Sequence, residues 1–398
     1  MECRKKVRLS DVAELTPGFA FKSTDFGEYS HKAIKITNIS REGYSDTFPG
    51  VDIDAYPAGK LDKYLIGEGD YYLAMTGSIG KVGRLVRGSA YLNQRVLGLK
   101  AKSQIDADYL WFVLNSADFY RHLLTHIDSH SVQANISAES VGSFEFDLPP
   151  MNVQLRIGFV LGSFDKKIIA NNRINGYLEE LALAMLREEV VGSFPYGVTT
   201  VGAFAKQMSN GATPSRKQPH YWNGGTIPWV KTGEVNNNII FRTEEHITQE
   251  ALEKTSVHLL PVDTVVMALY GRGTAGRVGL LKTRATTNQA CTAMICSSSS
   301  RAFYLYLILQ NMFKQIDSLT RGSVQQNLSK DIVADIQIPD ITNDYLNDRG
   351  FGLIYSKIAE GERENLTLGE LRDALLPKLM SGEIDVSNVM VPMKEGKS

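Results

Sequence analysis

The sequence predicts an α+β protein made by head-to-tail duplication, in which each globular region is followed by a long helix. Three observations carry that expectation: an internal repeat, short β-branched runs broken by turn residues, and two segments with helical apolar spacing. Shifting the chain by 190 residues places Gly162 on Gly352, Lys167 on Lys357, Asn175 on Asn365, Leu181 on Leu371 and Gly192 on Gly382. Slightly larger shifts match GSIGKVGRL from Gly77 to GTAGRVGLL from Gly273, Asn93-Gln94 to Asn288-Gln289, and Ser131-Val132-Gln133 to Ser323-Val324-Gln325. A repeat this long duplicates a domain rather than a small solenoid unit.

The repeat divides the chain into residues 1–150, 151–192, 193–340 and 341–398. In the first and third, runs such as DYYLAM, YLNQRVLGLKA, DTVVMALY and TTNQACTAMIC alternate with Gly, Pro, Asn and Asp clusters, the pattern of strands and turns. Each also holds one helical stretch, DYLWFVLNSADFYRHLL and FYLYLILQNMFKQI. The second and fourth segments are spacer helices. Ile157, Leu161, Phe164, Ile168, Leu178 and Leu181 step by three and four along the first, and Ile354, Ile358, Leu368, Leu371 and Leu375 along the second. Such a stripe needs a partner helix. Asn171, Asn175 and Asn365 either set register inside that seam or lie in solvent. Phe159, Val160, Ile169, Leu183 and Leu186 fall outside the stripe and suggest a second docked face.

Composition narrows the function classes. With 398 residues, 43% of them hydrophobic and 22% charged, the chain is neither disordered nor collagenous. Three cysteines cannot build a disulfide framework, and no histidine cluster stands beside them at zinc-ligand spacing, so no metal site is expected. A reducing, cytoplasmic location is expected, since the N-terminus lacks a signal-like apolar run. The net charge of −1 means that any polyanion site must be local. Residues 193–340 carry 14 basic and 10 acidic side chains, and no acidic residue falls between Asp70 and Asp106 or between Asp263 and Asp317. Both gaps contain the repeated glycine motif.

Phosphate neutralisation needs Lys and Arg away from carboxylates, and glycine lets backbone amides approach an anion. Lys81, Arg84, Arg87 and Arg95 in the first gap, and Arg272, Arg277 and Arg284 in the second, are therefore candidate DNA contacts, as is Arg321 beyond it. Arg matches guanine, and Asn or Gln matches adenine, through paired hydrogen bonds. That adds Asn93, Gln94, Ser131, Gln133, Tyr270, Thr274, Asn288, Gln289, Ser323 and Gln325 as candidate base readers; taken singly, each is better explained as a turn or capping residue. No catalytic set repeats between the copies. GSIGKVG lacks phosphate-loop spacing. Asp147-Leu148-Pro149-Pro150 has the order of an acidic-Pro-Pro methyltransferase element, but Met151 stands where a stacking aromatic is needed, and proline suits a helix start.

LPPMNVQLRIGFVLGSFDKKIIANNRINGYLEELA from Leu148 and LGELRDALLPKLMSGEIDV from Leu368 resemble the two helical regions of the specificity subunit of type I restriction-modification enzymes. The openings VRLSDVAELTPGFAFKSTDF from Val7 and GATPSRKQPHYWNGGTIPWVKTGEV from Gly211 resemble the starts of that family's target recognition domains. The second helix departs from the pattern: it lacks a proline pair at its start, and Gly361 interrupts its stripe. The resemblance implies an α+β fold of two pseudo-symmetric globular target recognition domains separated by two long helices forming an antiparallel coiled coil. It marks Lys22, Lys217, Tyr221, Trp222 and Lys231, within the openings, as further candidate DNA contacts. It implies a bipartite, asymmetric double-stranded DNA target, with the helix length setting the unread gap, and two modification (methyltransferase) subunits plus restriction subunits as partners. S-adenosylmethionine, ATP and Mg2+ would belong to those partners, leaving this chain without a cofactor or a catalytic centre. An orphan specificity-like protein without partners, and a stand-alone methyltransferase or nuclease, are the competing readings.

Overall fold

A computed structural model describes residues 4–39, 44–45, 48–77, 79–127, 134–191, 197–271, 273–321 and 327–392, with the side chains of 44–45, 187–191 and 320–321 left out of account. The chain folds as two compact units, residues 1–166 with 368–398, and residues 167–367.

The first unit is built on a five-stranded sheet in the order Ala13–Pro17, Val96–Ala101, Tyr71–Ala74, Val82–Leu85, Tyr44–Ser45. The last pair is parallel and the others antiparallel. A second sheet sets Phe26–Ile34 parallel to Ser89–Leu92, with Gly50–Val51 and Leu65–Gly67 at its edges. The helix Ala107–Leu114 is entered through Asp106, whose carboxylate accepts the Tyr109 amide at 3.0 Å, the usual N-cap arrangement. All of its residues from Tyr109 to Leu114 are buried, together with Tyr71, Leu97 and Leu99 from the sheet.

The second unit repeats the five-stranded order strand for strand, while its smaller sheet has three strands where the first unit has four. Gln207–Asn210, Cys291–Ile295, Thr264–Ala268, Val278–Leu281 and Asn238–Ile240 form its five-stranded sheet, again with only the last pair parallel. Ile227–Val230 runs parallel to Thr286–Thr287 in the smaller sheet. The helix Ser299–Asn311 buries Phe303, Tyr304, Leu305 and Tyr306 where the first unit buries Tyr109 to Phe112. In each unit an antiparallel strand pair closes the base: Lys5–Arg8 with Glu145–Leu148, and Val198–Thr200 with Gln337–Pro339. The second copy has two more residues between Leu269 and Gly273 than the first has between Met75 and Gly77, which raises the shift there from 194 to 196.

The boundary between units falls inside both long helices, Met151–Val191 and Phe351–Ser381. Met151 follows the proline pair directly, in agreement with a proline-led helix start. The second helix is shorter than the 40-residue segment expected, because residues 343–348 form a separate turn of helix ended by Gly350 at φ +71°. The tail beyond it is not a free extension: Val386 is buried in the first unit's core, with Ile384 and Val389 packed against that core.

Within the second unit the helices run antiparallel, since Asn171 meets Glu364 and Asn365 while Asn175 meets Glu362. Asn171 and Asn175 are buried, so of the two readings these amides take the seam. Gly361 faces the Asn175 side chain, and a Cβ there would lie 2.7 Å from Asn175 Oδ1. The glycine that breaks the apolar stripe therefore makes room for the partner's amide. In the first unit, the buried Asp165 accepts hydrogen bonds from Trp111 Nε1 at 2.9 Å and Arg372 Nη1 at 2.6 Å, joining both helices to the globular core.

The expected seam is only partly met. Ile157, Leu161, Ile354 and Ile358 are buried, and Phe164, Ile168, Leu178, Leu368 and Leu375 half-buried. Leu181 and Leu371 are 50% and 47% exposed, which corrects both assignments. At 100° per residue the direction set by Asn171 and Asn175 passes through Ala182, and Leu181 points about 80° away from Asn171. Leu186, expected on an outer docking face, is instead buried in the second unit's core.

Candidate nucleic-acid interface

The glycine turn and the Asn-Gln turn converge at one end of the larger sheet in each unit. In the first, the residue after Tyr71–Ala74 is Met75. Its amide donates to the Arg95 carbonyl at 2.9 Å, and its carbonyl accepts the Ile136 amide at 3.0 Å. The glycine turn, the Asn-Gln turn and the segment after Ser131-Val132-Gln133 are thus tied to a single residue. In the second, Leu269 does the same, donating to Ala290 at 2.8 Å and accepting from Leu328 at 3.0 Å. Two motifs and the segment that follows the third, far apart in sequence, meet at one residue, twice.

Local geometry explains the glycines. The turn between Tyr71–Ala74 and Val82–Leu85 needs left-handed backbone at Gly77 (φ +69°) and Gly80 (φ +85°); its counterpart needs it at Gly273 (φ +78°) and Gly276 (φ +86°). A Cβ on Gly80 would come 2.7 Å from the Tyr120 ring, and one on Gly276 2.9 Å from Ile316 Cγ2. Glycine is demanded here by conformation and packing, whatever binds the turn. Lys81 and Arg277 occupy equivalent places at the foot of the two turns, where their carbonyls accept from Ala74 at 3.1 Å and Ala268 at 2.9 Å. The Arg277 guanidinium also bonds Asn236 Oδ1 and lies 5.9 Å from the Phe313 ring centroid.

Several candidates also have partners within the protein. Arg84 pairs with Asp108 at 2.8 Å and lies 5.5 Å from the Tyr71 ring centroid. Lys231 is held by Glu244 at 2.7 Å and Glu245 at 3.2 Å, and the hydrogen bond it donates to Glu244 is the largest influence raising its pKa. Asn288 exchanges hydrogen bonds with Thr232 at 2.9 and 3.2 Å. The Thr274 hydroxyl donates to the Tyr270 carbonyl at 3.0 Å. The Trp222 indole donates to Ser215 and lies under Arg216, 3.6 Å from ring centroid to guanidinium carbon. Tyr221 is half-buried beside it. The acid-free gaps have the same cause in part, because they span the central strands, whose buried positions admit no carboxylate. Lys282 and Arg301, also within the second gap, bond Asp263 and the carbonyls of Phe204 and Ile341.

Lys22, Arg87, Gln94, Arg95, Lys217, Tyr270, Arg284 and Gln289 are exposed, while Lys81 and Asn93 are half-buried. Gln289 accepts a hydrogen bond from Thr213. Ser131, Gln133, Arg272, Ser323, Gln325 and the Arg321 side chain lie outside the described residues.

The sequence reading missed an aromatic nest in the first unit. Phe19, Phe21 and Tyr56 make edge contacts at 5.0–5.9 Å, with Lys60 over two of the rings at 5.6 and 5.4 Å and Lys35 over Phe26 at 3.2 Å. The hydrogen bond from Tyr56 lowers the pKa of Asp25. Lys35 could have been found, since it stands where Lys231 stands in the repeat. Arg216, which lowers the pKa of Glu245, was hidden among exposed polar residues.

Among the described residues no group of three or more His, Cys, Asp or Glu side chains could hold a metal ion, and no helix is long and apolar enough to cross a membrane. Burial pushes the Cys291 thiol up to about 12 and that of Cys296 up to about 11, so neither is a thiolate at neutral pH.

Two units of one topology, each ending in a polar loop cluster on a rigid sheet, define a duplicated-domain recognition protein. The chain matches the family model for the type I restriction modification DNA specificity domain over residues 1–180 and 196–339, and it belongs to that family. It is 22% identical over 329 residues to the type I restriction enzyme MjaIX specificity subunit of Methanocaldococcus jannaschii, covering 75% of this chain and 73% of that protein. It is 27% identical over 184 residues to the HindI specificity subunit of Haemophilus influenzae, covering 45% of this chain and 39% of that one. The crystal structure of a type I restriction-modification S subunit from M. genitalium shares the fold, with a TM-score of 0.53 at 15% identity over 95% of this chain and 96% of that one.

Proposed function

We propose that this chain reads DNA sequence for a type I restriction-modification complex, one loop cluster per half of a bipartite, asymmetric target. The observation that carries the reading is the repetition of the same three-loop cluster, with the same strand-end hydrogen bonds, at Met75 and Leu269. Exposed Lys and Arg side chains around the clusters contact phosphates, and the polar loop tips reach base edges. Two weak contacts in one chain reinforce each other, because the second binding event is intramolecular.

The long helices, which carry the chain from one unit into the other, set the number of unread base pairs between the half-sites. Two modification subunits supply S-adenosylmethionine and the methylation of adenine, which requires the base to be swung out of the duplex. Restriction subunits supply ATP- and Mg2+-dependent chemistry. This chain then contributes recognition without catalysis, in the cytoplasm.

The test is methylation mapping with modification subunits present. Replacing residues 193–340 by the corresponding region of another family member is expected to change one half of the methylated motif and leave the other unchanged. A motif altered in both halves, or in neither, would refute one-domain, one-half-site reading.

A further inference from the structure

The Asn-Gln turn differs between the two units in one place. In both, the residue after the turn donates back to its asparagine carbonyl: Val96 to Asn93 at 3.1 Å, Cys291 to Asn288 at 3.2 Å. The third turn residue is Arg95 in the first unit, exposed and left-handed at φ +67°. In the second it is Ala290, which is buried and does not have positive φ. Left-handed backbone favours glycine or asparagine, and a bulky side chain there is uncommon.

A second observation falls on the same turn. Asn93 Oδ1 is buried without a hydrogen-bond partner. Its counterpart Asn288 is satisfied by Thr232, and the residue equivalent to Thr232 is Ile36, which has no hydroxyl. The first unit's turn thus keeps a left-handed Arg95 and an unpartnered Asn93 Oδ1; in the second the tip is Ala290 and Asn288 is partnered, with Thr287 Oγ1 just before it buried and unpartnered. Strain retained in one of two copies marks a functional position. The Met75 amide donates to the Arg95 carbonyl at 2.9 Å at the sheet end, which fixes the backbone that carries this exposed residue.

We infer that Arg95 is a specificity-determining residue of the first unit, reading guanine O6 and N7 through its guanidinium, and that the second unit has no reader at the equivalent place. The planar fork of donors on arginine matches those two acceptors, whereas lysine offers a point charge. This inference rests on the DNA-reading function proposed above.

The test uses the full chain with its modification subunits on a library of randomised duplexes, comparing the parent with Arg95→Gly and Arg95→Lys. Glycine suits φ +67°, so the thermal midpoint of Arg95→Gly is expected to hold or rise. Discrimination at one guanine in one half-site is expected to fall about ten- to a hundred-fold in both variants, with the other half-site unchanged. Weakening that is uniform across sequences, with a shallower salt dependence and an unchanged motif, would make Arg95 a phosphate anchor and overturn the inference. An unchanged motif at unchanged affinity overturns it as well. A parental complex that methylates no defined motif would overturn the function itself, and is distinguishable because the failure precedes any substitution.

Discussion

Gly80 shows how a motif can be visible in sequence while its reason is not. The repeated glycines invite a phosphate-binding reading, yet φ of +85° at Gly80 and the Tyr120 ring 2.7 Å from where a Cβ would sit already require glycine. Gly80→Ala is expected to cost about 1–3 kcal/mol, read as a lowered thermal midpoint of the full chain. Gly77→Ala carries the φ penalty but meets no atom within 4 Å, so its cost is expected to be smaller. Equal costs would show that packing against Tyr120 contributes nothing. Asn288 follows the same logic: its residue type promised a base reader, but Thr232 fills its hydrogen bonds. A partner 56 residues away cannot be read from local spacing.

Each long helix was legible as an element, since apolar steps of three and four persist through it. Its exact buried face was not. Leu181 and Leu371 fall on equivalent positions of the repeat and both are about half exposed; for Leu181 the buried face runs through Asn171, Asn175 and Ala182 instead. Leu181→Gln is therefore expected to change stability by under about 0.5 kcal/mol, while Leu186→Ala, at a position 4% exposed, costs about 2–5 kcal/mol; denaturant unfolding of both variants checks the order. Glu179 adds a pH dependence. Burial first, and Glu362 second, raise its pKa above the ordinary 4.5. Between that value and the raised one the unfolded chain releases a proton that the folded chain retains, so this group's effect on stability grows more unfavourable as pH rises through the window. Glu179→Gln is expected to raise the thermal midpoint at pH 7 and to flatten its fall above pH 4.5. A parallel shift at all pH values would mean that Glu179 does not titrate in this window.

Duplication organises the protein, and each unit closes its own core. The strands Val198–Thr200 and Gln337–Pro339 pair at the two ends of the second globular region, so residues 193–340 enter and leave at one place. That closure is why exchange of this region is expected to fold and to change only one half of the target, as methylation mapping would reveal. The two-residue insertion between Leu269 and Gly273 alters one loop without disturbing the sheet beneath it, where Val266 still pairs with Gly279 as Tyr72 does with Gly83. Differences between the copies thus concentrate in loops, where recognition can diverge at little cost to the scaffold.

Composition and periodicity were enough to establish the duplication, the α+β class, the two helical segments and the loops that carry polar residues, because these properties are local or recur at a fixed spacing. Folding settled which of the charged and amide side chains face solvent. Arg84 is committed to Asp108, Lys231 to Glu244 and Glu245, and Asn288 to Thr232, through contacts between strands and helices distant in sequence. A cation and a carboxylate meet only when the sheet brings them within about 4 Å, and no linear pattern encodes that distance.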